Sequence, residues 1–234
     1  MPGIMNTRPT AASRLHCMFQ IVLLVAGMSR AIAASSTENA APSAAGLVVC
    51  WKFEEPSGTL ARDSSTNGFH GTLVNGPERI SAILGGALRF NGATQYVSIP
   101  HSARLKPAGA ITLSAWVLPA RLGGARVIYR KEDGDQRHLF AFHENGALLA
   151  FGLYLQGSYR ELSAPIPAGR LFDDRWHLTT ATYDGTAKRV YWDGAEIGVE
   201  PATGPIATSG AAPAYIGSFA GQWEFFDGCL DDMR

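Results

Sequence analysis

Oxygen donors crowd into one short stretch of this chain, DSSTNGFHG, where Asp63 offers a carboxylate and Asn67 an amide oxygen, and where the backbone at Gly68 and His70 can turn carbonyls inward. Two kinds of chemistry use such a set. Calcium takes six to eight oxygens of these types. Alternatively, Asp and Asn side chains bond to their own backbone a few residues on and merely cap a turn. Asp231 and Asp232, near the C-terminus, are carboxylates that could complete a cation site from a distant part of the chain.

Flat aromatic rings with a few fixed polar groups beside them are what the face of a sugar ring stacks on. Trp223, in AGQWEFF, precedes the last strand pattern and is the leading candidate; Tyr154 and Tyr159, on either side of Gln156-Gly157, come next. The competing reading of all three is packing against the body of the domain. Trp51, Trp116, Trp176 and Trp192 sit inside strand patterns and read as core.

Catalytic patterns are not found. Retaining glycoside hydrolysis needs two carboxyls about 5 Å apart, and the closest carboxylates in sequence, Glu132, Asp133 and Asp135, lie in KEDGDQR, which reads as a solvated turn. There is no GxSxG, no HExxH and no phosphate-cradling glycine loop. His143 and Glu144 belong to an HENG turn and read as exposed, and His177 reads as a sheet residue rather than a base. Cys50 and Cys229 stand near the two ends of the folded part. A bridge between them would close a loop worth roughly 4 to 5 kcal/mol in chain-entropy models; two buried free thiols are the alternative, and with no CxxC a chelating role is not indicated.

The elements that must position these residues are strands. From Trp176 to Glu196 the sequence WHLTTATYDGTAKRVYWDGAE holds two period-two runs, each followed by Asp-Gly, a strong short-range signal for antiparallel hairpins. Trp176, Leu178, Thr180 and Thr182 share one face of the first run; Val190 and Trp192 share one face of the second. Similar turn pairs, among them Asn67-Gly68, Asn91-Gly92, Asn145-Gly146 and Asp227-Gly228, punctuate runs such as LVVCWKF, ITLSAWVL, HLFAFH and LLAFGLYL. Helical periodicity is confined to one turn, His101 to Lys106, before Pro107. The pattern predicts one domain over residues 46–234, all-β, built as a sandwich of two antiparallel sheets.

With 20 basic and 20 acidic residues in a chain of 234, no global field draws in nucleic acid or an anionic bilayer. Residues 1–34 read as a signal peptide: Arg8 and Arg14 precede an apolar run from Cys17 to Met28 and then Ala31-Ile32-Ala33, with Met5 and Met18 as alternative starts. That run falls short of the roughly 20 residues that span a bilayer, so no membrane insertion is expected once it is removed. Residues 35–45 read as a flexible leader, and the domain as secreted, outside the cell or in the periplasm.

In order, LVVCWKFEE, ARDSSTNGFHGTL, GGALRFNGATQYVSIP, ITLSAWVLPA, RWHLTTATYDG, RVYWDGAEIG and FFDGCLDDMR resemble the blocks of the concanavalin A-like, laminin-G-like jelly-roll superfamily, in its bacterial branch. The resemblance implies a jelly roll and a structural calcium site made from Asp63, Asn67, Gly68 and His70 with Asp231 or Asp232. The ExDxxE motif of the family's glucanases does not occur. Family members usually continue past the Asp-Asp element, whereas this chain stops at Arg234, so the last strand is expected to lack part of its length. The function implied is a binding module for a carbohydrate or glycoprotein. The rivals are an adhesive domain docking onto another protein or other domains of a larger polypeptide, and, least favoured, a glycoside hydrolase or lyase.

Overall fold

The structure, a computed structural model, describes residues 46–82, 84–121, 123–134 and 136–234. The signal peptide and leader expected over residues 1–45 lie outside the described residues, as does Asp135. The described chain runs through β1 (Leu60–Ala61), β2 (Gly71–Val74), β3 (Glu78–Ala82), β4 (Gly85–Asn91), β5 (Tyr96–Ile99), β6 (Ile111–Pro119), β7 (Arg126–Asp133), β8 (Gln136–His143), β9 (Leu148–Leu155), β10 (Ser158–Pro165), β11 (His177–Tyr183), β12 (Ala187–Trp192), β13 (Ala195–Pro201), β14 (Ala214–Ile216) and β15 (Asp227–Asp231). The helical turn expected at 101–106 is a 3-10 turn at Ala103–Leu105, capped by the Ser102 side chain.

The strands form two antiparallel sheets. The larger has the order β1-β2-β5-β14-β7-β8-β9-β10, and the smaller β13-β12-β11-β6-β15-β4-β3. Adjacent positions join strands far apart in sequence, such as β14 between β5 and β7 and β15 between β4 and β6, which makes this a jelly roll rather than a meander. The Trp176 to Glu196 stretch supplies β11 and β12, whose register pairs Ala181 with Val190 and Thr179 with Trp192. Asp193 (φ 50°) and Gly194 (φ 80°) both adopt the left-handed conformation that a tight two-residue hairpin turn requires, which is why Asp-Gly stands there.

Alternation defines two faces of a strand but not which one is inward. In β11 the inward face is His177, Thr179, Ala181 and Tyr183, all buried, while Leu178, Thr180 and Thr182 are half-buried on the outside. The expected core position of Trp116 and Trp176 is therefore corrected: both are half-buried. Trp116 stands opposite Leu178 on the outer face of the smaller sheet, where the two cover each other as a cross-strand pair. Trp51 and Trp192 are core, as expected.

Between the sheets one large apolar cluster joins Trp51, Phe53, Leu88, Phe90, Val117, Ile128, Phe140, Phe142, Phe151, Val190, Trp192 and Phe226. Several ionisable side chains are buried with it, Lys188 on β12 among them. His138 and Lys131, a cross-strand pair on β8 and β7, are fully buried. Lys131 bonds the Ala212 carbonyl and faces His101 Nδ1 at 3.3 Å, whereas both ring nitrogens of His138 are without a partner. His177 is held between two carboxylates, Nδ1 at 2.8 Å from Asp193 and Nε2 at 2.9 Å from Asp173, with its ring 4.6 Å from that of Trp192.

Candidate functional site

The outer face of the larger sheet, over β7 to β10, carries a cluster of charged and aromatic groups. A β-bulge between Val127 and Tyr129 puts two consecutive residues, Ile128 and Tyr129, into the core. Beyond it Arg130 and Glu132 point outward while Lys131 points in. The neighbouring strands contribute a floor of small side chains: Ala141, Ala150 and Gly152 lie in register beside Leu139, Ser163 and Glu161. Val127, Leu139 and Ala141 form a second, smaller apolar cluster on this face, against which Tyr159 and Phe219 pack.

On that floor the charged groups make a continuous chain. Arg130 donates to Glu132 Oε2 through Nε at 2.7 Å and to Glu224 Oε2 through Nη1 at 2.7 Å, and its guanidinium lies 3.6 Å from the centre of the Phe219 ring. Arg137 bonds the other oxygen of Glu132 and sits 4.3 Å over the ring of Tyr159. Tyr159 donates its hydroxyl to Glu161 Oε2 at 2.5 Å, while Ser163 donates to Oε1 at 2.8 Å and His143 Nδ1 lies 3.2 Å from the same atom. The hydrogen bond from His143, followed by those from Tyr159 and Ser163, holds the Glu161 carboxyl down at about 2 against burial. The same contact raises His143 above its ordinary value. Burial, reinforced by Glu161, raises the Tyr159 phenol. Glu161 is thus a fixed acceptor and not a base. Gly152 makes the geometry feasible: a β-carbon there would overlap the Tyr159 hydroxyl and lie 2.7 Å from its ring carbons.

One end of this face is closed by the segment between β14 and β15. Val127 N–H donates to Glu224 O at 3.0 Å and Arg126 Nη1 to Phe225 O at 2.8 Å, which pins the segment to β7. It presents Trp223, 57% exposed, with its ring 5.6 Å from that of Phe219. A shallow depression is lined by Gly123, Ala125, Arg126, Phe219, Trp223 and Glu224. Through Gly123 it adjoins another beside Phe172, itself 56% exposed.

The fold brings the three candidate ring residues to one sheet. Tyr154 and Tyr159 are a cross-strand pair on β9 and β10, and Tyr159 and Phe219 share the cluster that leads to Trp223. Phe219, Arg130, Arg137 and Glu161 were not singled out from the sequence. Two earlier readings are corrected. Glu132 is not in a solvated turn but lies on β7 with Arg130 and Arg137, and His143 is half-buried against Glu161 rather than exposed. His177 is a sheet residue, as read.

The Asp63 loop is built differently. Asp63 is buried, and its Oδ1 accepts from the backbone N–H groups of Cys50 (3.0 Å) and Ser65 (2.8 Å), its Oδ2 from Ser65 Oγ (2.8 Å) and Phe69 N–H (2.9 Å). Burial pushes this carboxyl up, but the four bonds outweigh it and hold it low. Asn67 donates to Val48 O at 2.9 Å, His70 Nδ1 accepts from Asp63 N–H at 3.0 Å, and Gly68 O accepts from His70 N–H. Asp232 is paired with Arg234, and Asp231 is buried with Oδ2 unpartnered. The first loop and the last strand do meet, because Trp51 pairs with both Asp63 and Met233. Yet Asp63 and His70 are arranged as hydrogen-bond acceptors for backbone and Asn67 as a donor to it, the turn-capping alternative, and as arranged they do not fit a calcium ion. Among the described residues no group of three or more His, Cys, Asp or Glu is placed to hold a metal.

The possible Cys50–Cys229 bridge is also corrected: both are buried free thiols. Cys50 Sγ faces Asp232 Oδ1 at 3.5 Å. Cys229 lies on β15 opposite Arg89.

A family model described as the concanavalin A-like lectin/glucanases superfamily, of the Laminin_G_3 type, matches residues 91–234. No curated protein matches the chain in sequence. Among solved structures, domain 4 of AbnA, an extracellular arabinanase from Geobacillus stearothermophilus crystallised with arabinotriose, superposes with a TM-score of 0.61 at 18% identity, covering 80% of this chain and 89% of that one. The binding domain of Paraclostridial Mosquitocidal Protein 1 gives 0.61 at 13% identity over 79% of this chain and 47% of its own. Domains LG4-5 of the mouse laminin alpha1 chain give 0.52 at 13% identity over 74% of this chain and 44% of theirs. The chain thus spans about half the length of the toxin and laminin fragments, and at these identities the likeness is one of fold. Among the described residues, no helix is long and apolar enough to cross a membrane.

Proposed function

The chain belongs to the concanavalin A-like lectin/glucanases superfamily, and from that premise we propose that it is a secreted module that binds a carbohydrate or the glycan of a glycoconjugate. The observation that carries the reading is the outer face of β7 to β10. There an exposed indole, Trp223, stands beside the Phe219 ring, and Phe219 and Tyr159 pack against the same small apolar cluster, beside carboxylates and guanidinia whose positions their neighbours already fix. Sugars are held by such a combination: a flat ring takes the apolar face of the pyranose, and oriented acceptors and donors take its hydroxyls without paying to order themselves. Fold neighbours that are binding domains support the reading, above all the arabinanase domain in complex with arabinotriose.

The same geometry argues against hydrolysis at this face. Glu161 accepts from three donors and is held far below the range of a general acid, and both oxygens of Glu132 are occupied by arginine. A glycan-array screen of the purified chain, with Trp223→Ala in parallel, tests the proposal. Wild type is expected to bind a related set of glycans and the variant to lose about tenfold or more in affinity, since one base- or sugar-sized stacking contact on Trp is worth roughly 1 to 3 kcal/mol. Binding to no glycan of a broad set, together with tight binding to a protein partner, would favour the adhesive rival.

A further inference from the structure

Away from that face, a cavity of about 550 Å³ lies between the sheets at the end where the two termini of the domain meet. Its walls come from the opening segment (Val49, Trp51), the 3-10 turn (Leu105), the start of β6 (Ile111, Leu113), Tyr129 of the larger sheet and Met233. Most of these are buried, and a cavity of this size is within the range of small-molecule sites.

Tyr129 is only 3% exposed and stands in the wall, where burial raises its phenol. At the mouth stand the guanidinia of Arg104 and Arg234. Arg234 is neutralised by both oxygens of Asp232, whereas Arg104 is exposed and makes no ion pair among the described residues. No Asp or Glu lines the cavity. The site therefore combines an apolar interior with a guanidinium at its entrance, that of Arg104, which no carboxylate among the described residues neutralises.

We propose that this cavity binds an amphiphilic carboxylate, its anionic head at Arg104 and its apolar body against Trp51, Ile111 and Leu113. An apolar body gains by leaving water. The carboxylate meets an unpaired guanidinium at the surface, where it stays partly hydrated and avoids the cost of burying a charge. A cationic or zwitterionic amphiphile has nothing to gain at the mouth. This inference is independent of the glycan-binding reading, which concerns the other side of the larger sheet.

The test is calorimetric titration of the full chain with sodium dodecanoate, kept below its micelle concentration, and with dodecanol and dodecyltrimethylammonium as neutral and cationic controls. Saturable binding of one dodecanoate in the micromolar range is expected, with dodecanol weaker and the cation weaker still. Arg104→Glu changes an exposed residue and is expected to weaken dodecanoate by about tenfold while leaving dodecanol unchanged. Ile111→Trp fills the cavity and is expected to abolish both; a melting curve confirms that it folds, and Leu47→Asp, at the exposed mouth, supplies a second variant that leaves the core intact and should weaken dodecanoate. The proposal is overturned if dodecanoate shows no saturation. It is equally overturned if the three amphiphiles bind alike, or if Arg104→Glu has no effect. Binding to immobilised glycans is read separately, so failure of either proposal leaves the other standing.

Discussion

His138 should make this protein acid-sensitive, and Asp231 should hide it. The imidazole is fully buried between Lys131 and Leu153, with neither nitrogen bonded. Burial, and then the nearby Lys131 charge, lower it from 6.5 to about 4. Between those values the unfolded chain carries a proton that the folded chain refuses, so stability is lost as pH falls through 6.5 and the loss is complete near 4. At about 1.36 kcal/mol per pH unit, the displacement is worth about 3 kcal/mol. Asp231 works in the opposite sense. It is 1% exposed with Oδ2 unpartnered, and burial raises it from 3.8 to about 6. The folded state then holds the extra proton, and stability rises as pH falls from about 6 to 3.8, by up to about 3 kcal/mol. The two slopes nearly cancel in the wild type, and single substitutions separate them. Urea unfolding at pH 7 and pH 4 is the assay. His138→Leu should be more stable than wild type at pH 7, by about 1 to 3 kcal/mol, because it removes unsatisfied buried nitrogens. That advantage should grow by about 3 kcal/mol at pH 4. Asp231→Asn should show an advantage at pH 7 that shrinks by a similar amount at pH 4. If the difference between His138→Leu and wild type is the same at both pH values, the reasoning about buried imidazole is wrong.

Three further outcomes follow from the same structure. Asp63→Ala leaves the N–H groups of Cys50, Ser65 and Phe69 without their acceptor and should cost about 3 kcal/mol in urea unfolding. Since the wild-type carboxylate is already saturated, millimolar calcium should leave the melting midpoint unchanged; a rise would restore the calcium reading of this loop. Gly152→Ala should push the Tyr159 ring off the floor, weakening glycan binding about as much as Tyr159→Ala does, with a smaller loss of stability than the Asp63 variant; equal affinity to wild type would separate Tyr159 from the site. His177→Gln breaks two carboxylate contacts that join the segment before β11 to the Asp193 turn. It should lower the unfolding free energy by about 2 kcal/mol while leaving any glycan affinity at the opposite sheet as it was.

Much of the fold is legible along the chain because its signals are local. Period-two alternation ending in Asp193-Gly194 predicts the β12–β13 hairpin whatever the rest of the molecule does, since both the pleat and the turn's left-handed backbone are properties of a few adjacent residues. The rim aromatics are legible for a similar reason: Trp223 lies between strand patterns, not inside one. What the sequence by itself determined is therefore an all-β chain, the order of its blocks, and one exposed ring, Trp223, that no strand consumes. What only tertiary structure decided is which face of each strand looks inward and which distant charges meet. His177 rather than Trp176 enters the core because the opposite sheet, two carboxylates and Trp192 receive it there. Arg130 reaches outward only because a bulge shifts the phase of β7, and its partner Glu224 lies 94 residues away. Ion pairs, buried histidines and cavities depend on such long-range neighbours, because desolvation and Coulomb energies are set by everything within a few ångströms in space and by nothing that adjacency along the chain encodes.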